Sequence, residues 1–345
     1  PKISVVCPTS DSRQHFHKLL YECFTQQDYE HKELIVVDSG ARPSDFFKNI
    51  AEKDPSVVYR FFDVEDSREG QKHSKVAWSL GLKRNIACCL ARGDVLVHFD
   101  DDDLYNKGYL SWMLQMLCVE NGEDGLPKPA AAKLTDWYLL DMNNLNFRYL
   151  DVYNDANVPA RERRGWLYGW GFSYVFTRTA WELAPFPDVE FAEDIGFLEG
   201  LMARSVPVRL VRLPQPAGLD KQGASLLPEC LVAHSCHAGS TSGGEFDGRR
   251  RSGRTVTQRE EVRNLVKLVQ SIIQSQRGPV PGAPRHMFLQ HHFGGPRPNT
   301  MFGAGKFQPA SIRIGGKGGP SFQPGQFHNF GLSSAMKRPG ANAPR

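Results

Sequence analysis

Four consecutive aspartates, Asp100 to Asp103, directly follow the apolar run Val95-Leu96-Val97-His98-Phe99. Adjacent like charges repel, so an ordinary surface turn has no need of them there. Two carboxylates one residue apart suit a hard divalent cation such as Mg2+ or Mn2+, which takes oxygen ligands and combines them with substrate phosphates. In extended geometry Asp100 and Asp102 project to one side, and Asp101 and Asp103 to the other. The simpler alternative is a solvated acidic loop. Other groups with chemical capacity are Asp38 after Leu34–Val37, the pair Glu193-Asp194 in FAEDIGF, Lys83-Arg84, and His234 and His237.

The elements that must hold these residues alternate between strand and helix. Ile3 to Cys7 is a short apolar run, and Phe16, Leu19, Leu20, Cys23 and Phe24 then fall on one helical face. Leu34–Val37 reads as a second strand feeding the turn Asp38-Ser39-Gly40, and 44–52 as a helix. Val57–Phe62 reads as a third strand. Leu82, Ile86, Cys89 and Leu90 mark a helix stopped by Gly93, with Ser79 as its N-cap, and Asp94–Phe99 is the strand leading into the aspartates. Alternation of this kind predicts an α/β fold with a mainly parallel sheet flanked by helices. Ligands gather beyond the carboxyl ends of such strands, where Pro8-Thr9, Asp38 and Asp100–Asp103 all fall.

Further on, Leu110, Met113, Leu114 and Leu117 mark a helix, and a hairpin joins 133–140 to 147–153 through Asn143-Asn144. Strands are predicted at 172–177 and 208–213, and a helix at 193–204. Trp166, Tyr168 and Trp170 lie between glycines in GWLYGWG. Their rings suit either a sugar platform or the core.

The net charge of +4 is unevenly spread. From Phe246 onward there are 16 basic and 3 acidic residues, against 26 and 35 before it. The acidic body does not suggest nucleic-acid binding, whereas the basic extension suits an anionic surface or RNA. The sequence divides into a domain at 1–245, a basic patch and amphipathic helix at 246–277, and a Gly/Pro-rich tail at 278–345 expected to be disordered. Seven cysteines without a CxxC pair read as small buried hydrophobes, which favours a reducing compartment, the cytoplasm or the cytoplasmic face of a membrane. The chain opens at Pro1 almost directly on a strand, as expected of a fragment or processed form.

Several of these motifs occur in the order seen in one known family. Gly81-Leu82-Lys83-Arg84-Asn85 resembles the G-x-K-R-N helix of glycosyltransferase family 2, and Ala91–Asp103 resembles its A-x-G-(D/E)-hydrophobic-DxDD segment. Val5–Thr9 and Leu34–Gly40 are similar to its first two strands. Glu193-Asp194 resembles its ED motif, and His237–Ser242 its closing H-x-x-N-x-S element. Ser240 stands in place of the usual Asn, and the turn reads Asp-Ser-Gly where Asp-Asp-Gly-Ser is commoner.

The resemblance implies a GT-A fold and metal-dependent, inverting transfer from a nucleotide sugar, UDP-sugar favoured, to a carbohydrate or other hydroxyl acceptor. It implies that Pro8, Thr9, Asp38, Lys83, Arg84, Asp100 and Asp101 meet the donor, with Asp38 on the base or ribose. Asp102, with Asp100 and His237, would hold Mn2+ or Mg2+. Asp194 would be the catalytic base, and Glu193, Trp166 and Trp170 would stand on the acceptor side. Two other readings remain open at this stage: a haloacid-dehalogenase-like phosphatase, whose D-x-D also follows an apolar strand, and an inactive GT-A scaffold for the basic tail.

Overall fold

A computed structural model describes residues 1–64, 78–218, 226–237, 253–256 and 259–276. All of them fall in the compact unit Pro1–Arg297. The tail at 278–345, the arginines at 249–251 and Ala238–Ser242 lie outside the described residues.

The strands are β1 (Ile3–Ser10), β2 (Lys32–Gly40), β3 (Val57–Asp63), β4 (Val95–His98), β5 (Leu104–Tyr105), β6 (Ala131–Leu134), β7 (Asp136–Asp141), β8 (Asn146–Asp151), β9 (Val175–Thr177), β10 (Val208–Val211), β11 (Val232–Cys236) and β12 (Arg254–Val256). The helices are α1 (His17–Thr25), α2 (Asp45–Lys53), α3 (Leu80–Leu90), α4 (Tyr109–Leu117), α5 (Arg163–Tyr168), α6 (Arg178–Leu183), α7 (Glu193–Ala203) and α8 (Arg263–Gln276).

Seven strands form the main sheet in the order β10-β6-β9-β4-β1-β2-β3. β4, β1, β2 and β3 are mutually parallel, and β9 alone runs against its neighbours β4 and β6. The sheet is therefore mainly parallel, as predicted. It is buried on both faces, so its strands are almost continuously apolar. Alternate residues serve two cores. Val5, Val36 and Val97 pack with α1, α4 and α8 on one face. Val6, Ile35 and Leu96 pack with α3, α6 and α7 on the other.

A second sheet, β12-β8-β7-β11-β5, brings β11 beside the end of the aspartate run through antiparallel pairing with β5. The expected hairpin exists as β7–β8. Residues 133–140 are nevertheless not one strand. The chain breaks at Thr135, with β6 in the main sheet and β7 in the second. Local alternation cannot report such a change of sheet.

Helix starts follow the sequence signals. Ser44 and Ser79 cap α2 and α3, their hydroxyls accepting from the N–H groups of Phe47 and Leu82. α3 ends at Leu90, before the expected stop at Gly93. Gly93 is required by close approach, since a Cβ there would lie 2.7 Å from the backbone of Lys2 and Ser4. The apolar stripe of α8 buries Leu265, Val266, Val269 and Ile272 against the core beside α1. Each such side chain is worth about 1.5–3 kcal/mol of burial. Among the described residues no helix is long and apolar enough to cross a membrane.

Candidate active site

The carboxyl ends of β1, β2 and β4 make one rim. Parallel register sets Thr9 beside Asp38, and β4 delivers the aspartates next to β1. The run does not continue extended. Asp103 N–H bonds back to Asp100 O at 3.3 Å, making a turn. The sorting of Asp100 with Asp102 against Asp101 with Asp103 therefore fails. Asp100 is the open member, with its side chain 29% exposed, and Asp101, Asp102 and Asp103 are buried.

Each buried aspartate has its own partners. Asp101 accepts from Thr9 Oγ1 at 2.6 Å and from Arg13 Nε at 2.7 Å. Asp102 Oδ2 lies 2.6 Å from Arg13 Nη2 and 2.7 Å from His237 Nε2. Asp103 accepts from Ser235 N–H at 2.8 Å and pairs with His234 Nδ1 at 2.9 Å. Burial pushes the Asp101 and Asp103 carboxyls up. Burial also opposes the charge on Asp102, but the His237 bond and the Arg13 charge outweigh it and hold this carboxyl below the usual range. Burial disfavours charge on His234 as well, yet the adjacent Asp103 draws it up to about 9. Two Asp–His pairs thus tie β11 and its C-terminal extension to the end of β4.

Asp38 is fully buried. Its Oδ2 accepts from Tyr59 OH at 2.7 Å, and its Oδ1 has no hydrogen-bond partner among the described residues. Such an orphaned acceptor costs about 1–3 kcal/mol unless a ligand donor fills it. Burial raises the Asp38 carboxyl. Lys83 is part-buried and lies within charge range of Asp38, Glu190 and Asp101, with burial lowering its ammonium. Pro8 is buried in β1, opposite Val37.

Arg84 is 3% exposed and committed to protein partners. Its Nε donates to Glu193 Oε1 at 3.0 Å, Nη1 meets His98 Nδ1 at 3.1 Å, and Nη2 lies 3.5 Å from Asp100. It therefore links the aspartate run to the start of α7. Glu193 is buried in that ion pair. Asp194 is only part-buried, and its Oδ2 accepts from Gly171 N–H at 3.0 Å. Burial raises the Asp194 carboxyl above its ordinary range.

Trp170 and Ala192, which flank this region in space and in sequence, adopt left-handed backbone with φ of 64° each. Non-glycine residues rarely do so; among the described residues Cys118, Leu145 and Ser205 share this conformation. The Trp170 ring packs 5.5 Å from Trp137, 5.4 Å from Trp166 and 5.0 Å from His234. Trp166 and Trp170 are thus partly buried members of an aromatic cluster.

Sequence reasoning missed Arg13, Tyr59, His17 and Lys133, and did not foresee the pairing of Asp103 with His234. His17 supports the rim from below, its ring meeting Thr9 Oγ1 at 3.0 Å and Ser44 Oγ at 2.8 Å. Lys133 is a fully buried lysine whose ammonium sits 4.8 Å over the Trp137 ring. Burial brings it down to about 7, against the nearby charge of Asp194. The one available signal was a lysine inside the apolar run of β6.

Asp102 Oδ2 and His237 Nε2 lie 2.7 Å apart; a carboxylate oxygen suits Mn2+ or Mg2+, whereas an imidazole nitrogen suits Mn2+ better than the harder Mg2+. Among the described residues no group of three or more His, Cys, Asp or Glu is placed to hold a metal ion by itself, so a bound ion would complete its shell from phosphate and water. The residues present fit such an ion on those terms.

Among solved structures, the chain resembles S. aureus TarS 1-349 in complex with UDP-GlcNAc, at 17% identity over 79% of this chain and 66% of that one, with a TM-score of 0.43. It also resembles the mannosyltransferase PcManGT from Pyrobaculum calidifontis in complex with GDP-Man and Mn2+, at 14% identity over 81% and 77%, TM-score 0.41. Glucosyl-3-phosphoglycerate synthase from Mycobacterium tuberculosis matches at 17% over 81% and 80%, TM-score 0.39. The chain thus spans just under two thirds of the TarS fragment. No curated protein sequence matches it significantly. The family model Glycosyl transferase family 2 matches residues 4–125, a segment holding β1, β2, α3, β4 and the whole aspartate run. Over that segment the chain is similar to glycosyltransferase family 2.

Proposed function

We propose that the protein moves a sugar from a nucleoside diphosphate sugar to a hydroxyl acceptor, with a divalent cation and with inversion at the anomeric carbon. The observation that carries this reading is the division of one rim into two carboxylate environments. On one side stand the orphaned Asp38 Oδ1 and the Asp102–His237 pair; across the Arg84 link stands the part-open Asp194. Asp38, an acceptor-only carboxylate, takes an N–H of the base, and uracil supplies one. Thr9 holds Asp101 under the run, and Lys83 adds positive charge for the diphosphate. Asp102 and His237, with Asp100 at the mouth, would hold Mn2+ or Mg2+, which would neutralise charge on the leaving diphosphate.

Asp194 takes the proton of the acceptor hydroxyl as its oxygen bonds to the anomeric carbon and the bond to the diphosphate breaks. One displacement from the opposite side inverts the centre. Glu193 is a poor base because Arg84 already holds it. Trp166 and Trp170 border the acceptor side, with Trp170 aiming the Gly171 N–H at Asp194.

The test is hydrolysis of UDP-, GDP- and TDP-sugars with Mn2+, with Mg2+ and without either ion. Metal-dependent hydrolysis, fastest with a UDP-sugar, is expected. Absence of turnover and of nucleotide binding across the whole panel would remove the proposal.

A further inference from the structure

Arg13 is in none of the motifs that point to the site, yet it pairs closely with two aspartates of the run. It lies in the turn Asp11–Phe16 directly after β1. Its Nη2 stands 2.5 Å from Asp101 Oδ1 and 2.6 Å from Asp102 Oδ2, and its Nε bonds both Asp101 oxygens, at 2.7 and 3.0 Å. The Asp102 oxygen it touches is the one that His237 meets at 2.7 Å. The Arg13 side chain is a quarter exposed.

Adjacent carboxylates buried without compensation would be strongly destabilising, and their charge must be met by fixed cations or by metal. Arg13 meets it at both Asp101 and Asp102. A divalent ion arriving at Asp102 would find the same oxygen engaged and a like charge beside it. A diphosphate changes this balance, because a planar guanidinium pairs bidentately with phosphate oxygens.

Resting on the metal role proposed above for Asp102, we infer that Arg13 is the resident cation of the aspartate run. It competes with a divalent ion for Asp102 and turns to the donor diphosphate when the ion enters. Metal and nucleotide then strengthen each other's binding, since each relieves the obstacle to the other.

Mn2+ binding to the full chain, followed by calorimetry and by loss of the free-ion EPR signal, tests this directly. For the unaltered protein, saturating UDP should tighten Mn2+ by about tenfold or more, a coupling of ordinary size. Arg13→Gln should bind Mn2+ alone about tenfold tighter than the unaltered protein, and UDP should add less to it. Arg13→Lys keeps the charge, so its affinity for Mn2+ alone should stay within about threefold. Melting curves with and without Mn2+ establish that each variant is folded. If Arg13→Gln binds Mn2+ no better than the unaltered protein, the inference falls while the donor site stands. Should Arg13→Gln not fold, the absence of UDP coupling in the unaltered protein overturns the inference alone. If neither protein binds Mn2+ with or without UDP, the metal reading falls as well.

Discussion

Replacing Arg84 by methionine removes a guanidinium from almost dry surroundings. The side chains of Arg84 and Glu193 are 4% and 5% exposed, and their contact is 3.0 Å. Breaking a buried pair from one side leaves an uncompensated charge, at a cost of about 3–5 kcal/mol. The penalty is capped because Glu193, already raised by burial, takes up a proton once its partner is gone. Glu193→Gln keeps a hydrogen-bond acceptor for Arg84 and should cost about 1–3 kcal/mol. The double variant Arg84→Met/Glu193→Leu replaces both charges with apolar groups. It should be more stable than the sum of the single changes predicts by about 2 kcal/mol or more. Urea unfolding with matched m-values measures all four corners of the cycle. Single changes below about 1 kcal/mol that add without coupling would refute the view that Arg84 spans the rim as a buried structural link.

Gly81→Ala places a Cβ 1.9 Å from the carbonyl oxygen of Pro187, so the segment before α7 must shift. A loss of about 1–3 kcal/mol in urea unfolding is expected, and an unchanged midpoint would show that the segment yields freely. The raised carboxyl of Asp194 fixes the sign of the pH dependence. A base acts when deprotonated, so the transfer rate should rise with pH through a limb above the ordinary carboxylate range and fall below it. A pH–rate profile in which that limb survives Asp194→Asn would assign it to another group.

Much of the fold could be read from the sequence because the main sheet is buried on both faces. Runs such as Leu34–Val37 and Val95–Phe99 are unambiguous when no solvent face interrupts them. Ser44 and Ser79 announced their helices by type, and the stripe of α8 by its spacing. The break at Thr135 was hidden because both flanking segments are apolar and the change of sheet is a tertiary event. In the site, Asp38, Asp102, His237 and Asp194 were visible because each closes or follows an apolar run or a motif. Arg13 was not, because a lone arginine in a polar turn reads as solvated charge until β1 and β4 are set side by side. The turn at Asp100–Asp103 escaped for a related reason: its path depends on Arg13, Thr9 and His234, none of them local. Glu193 and Asp194 were adjacent letters, and only packing separates the paired acid from the part-open one.

The central claim is the division of labour between Asp102 and Asp194. Calorimetric titration of UDP with Mn2+, run beside a transfer assay on Asp102→Asn and Asp194→Asn, tests it most directly. Asp102→Asn should weaken both Mn2+ and UDP binding, because a charged ligand is lost beside the diphosphate. Asp194→Asn should leave both affinities nearly unchanged while transfer falls by about a hundredfold to ten-thousandfold, the usual worth of a general base. Equal loss of UDP and Mn2+ affinity in both variants, or undiminished transfer by Asp194→Asn, would contradict it.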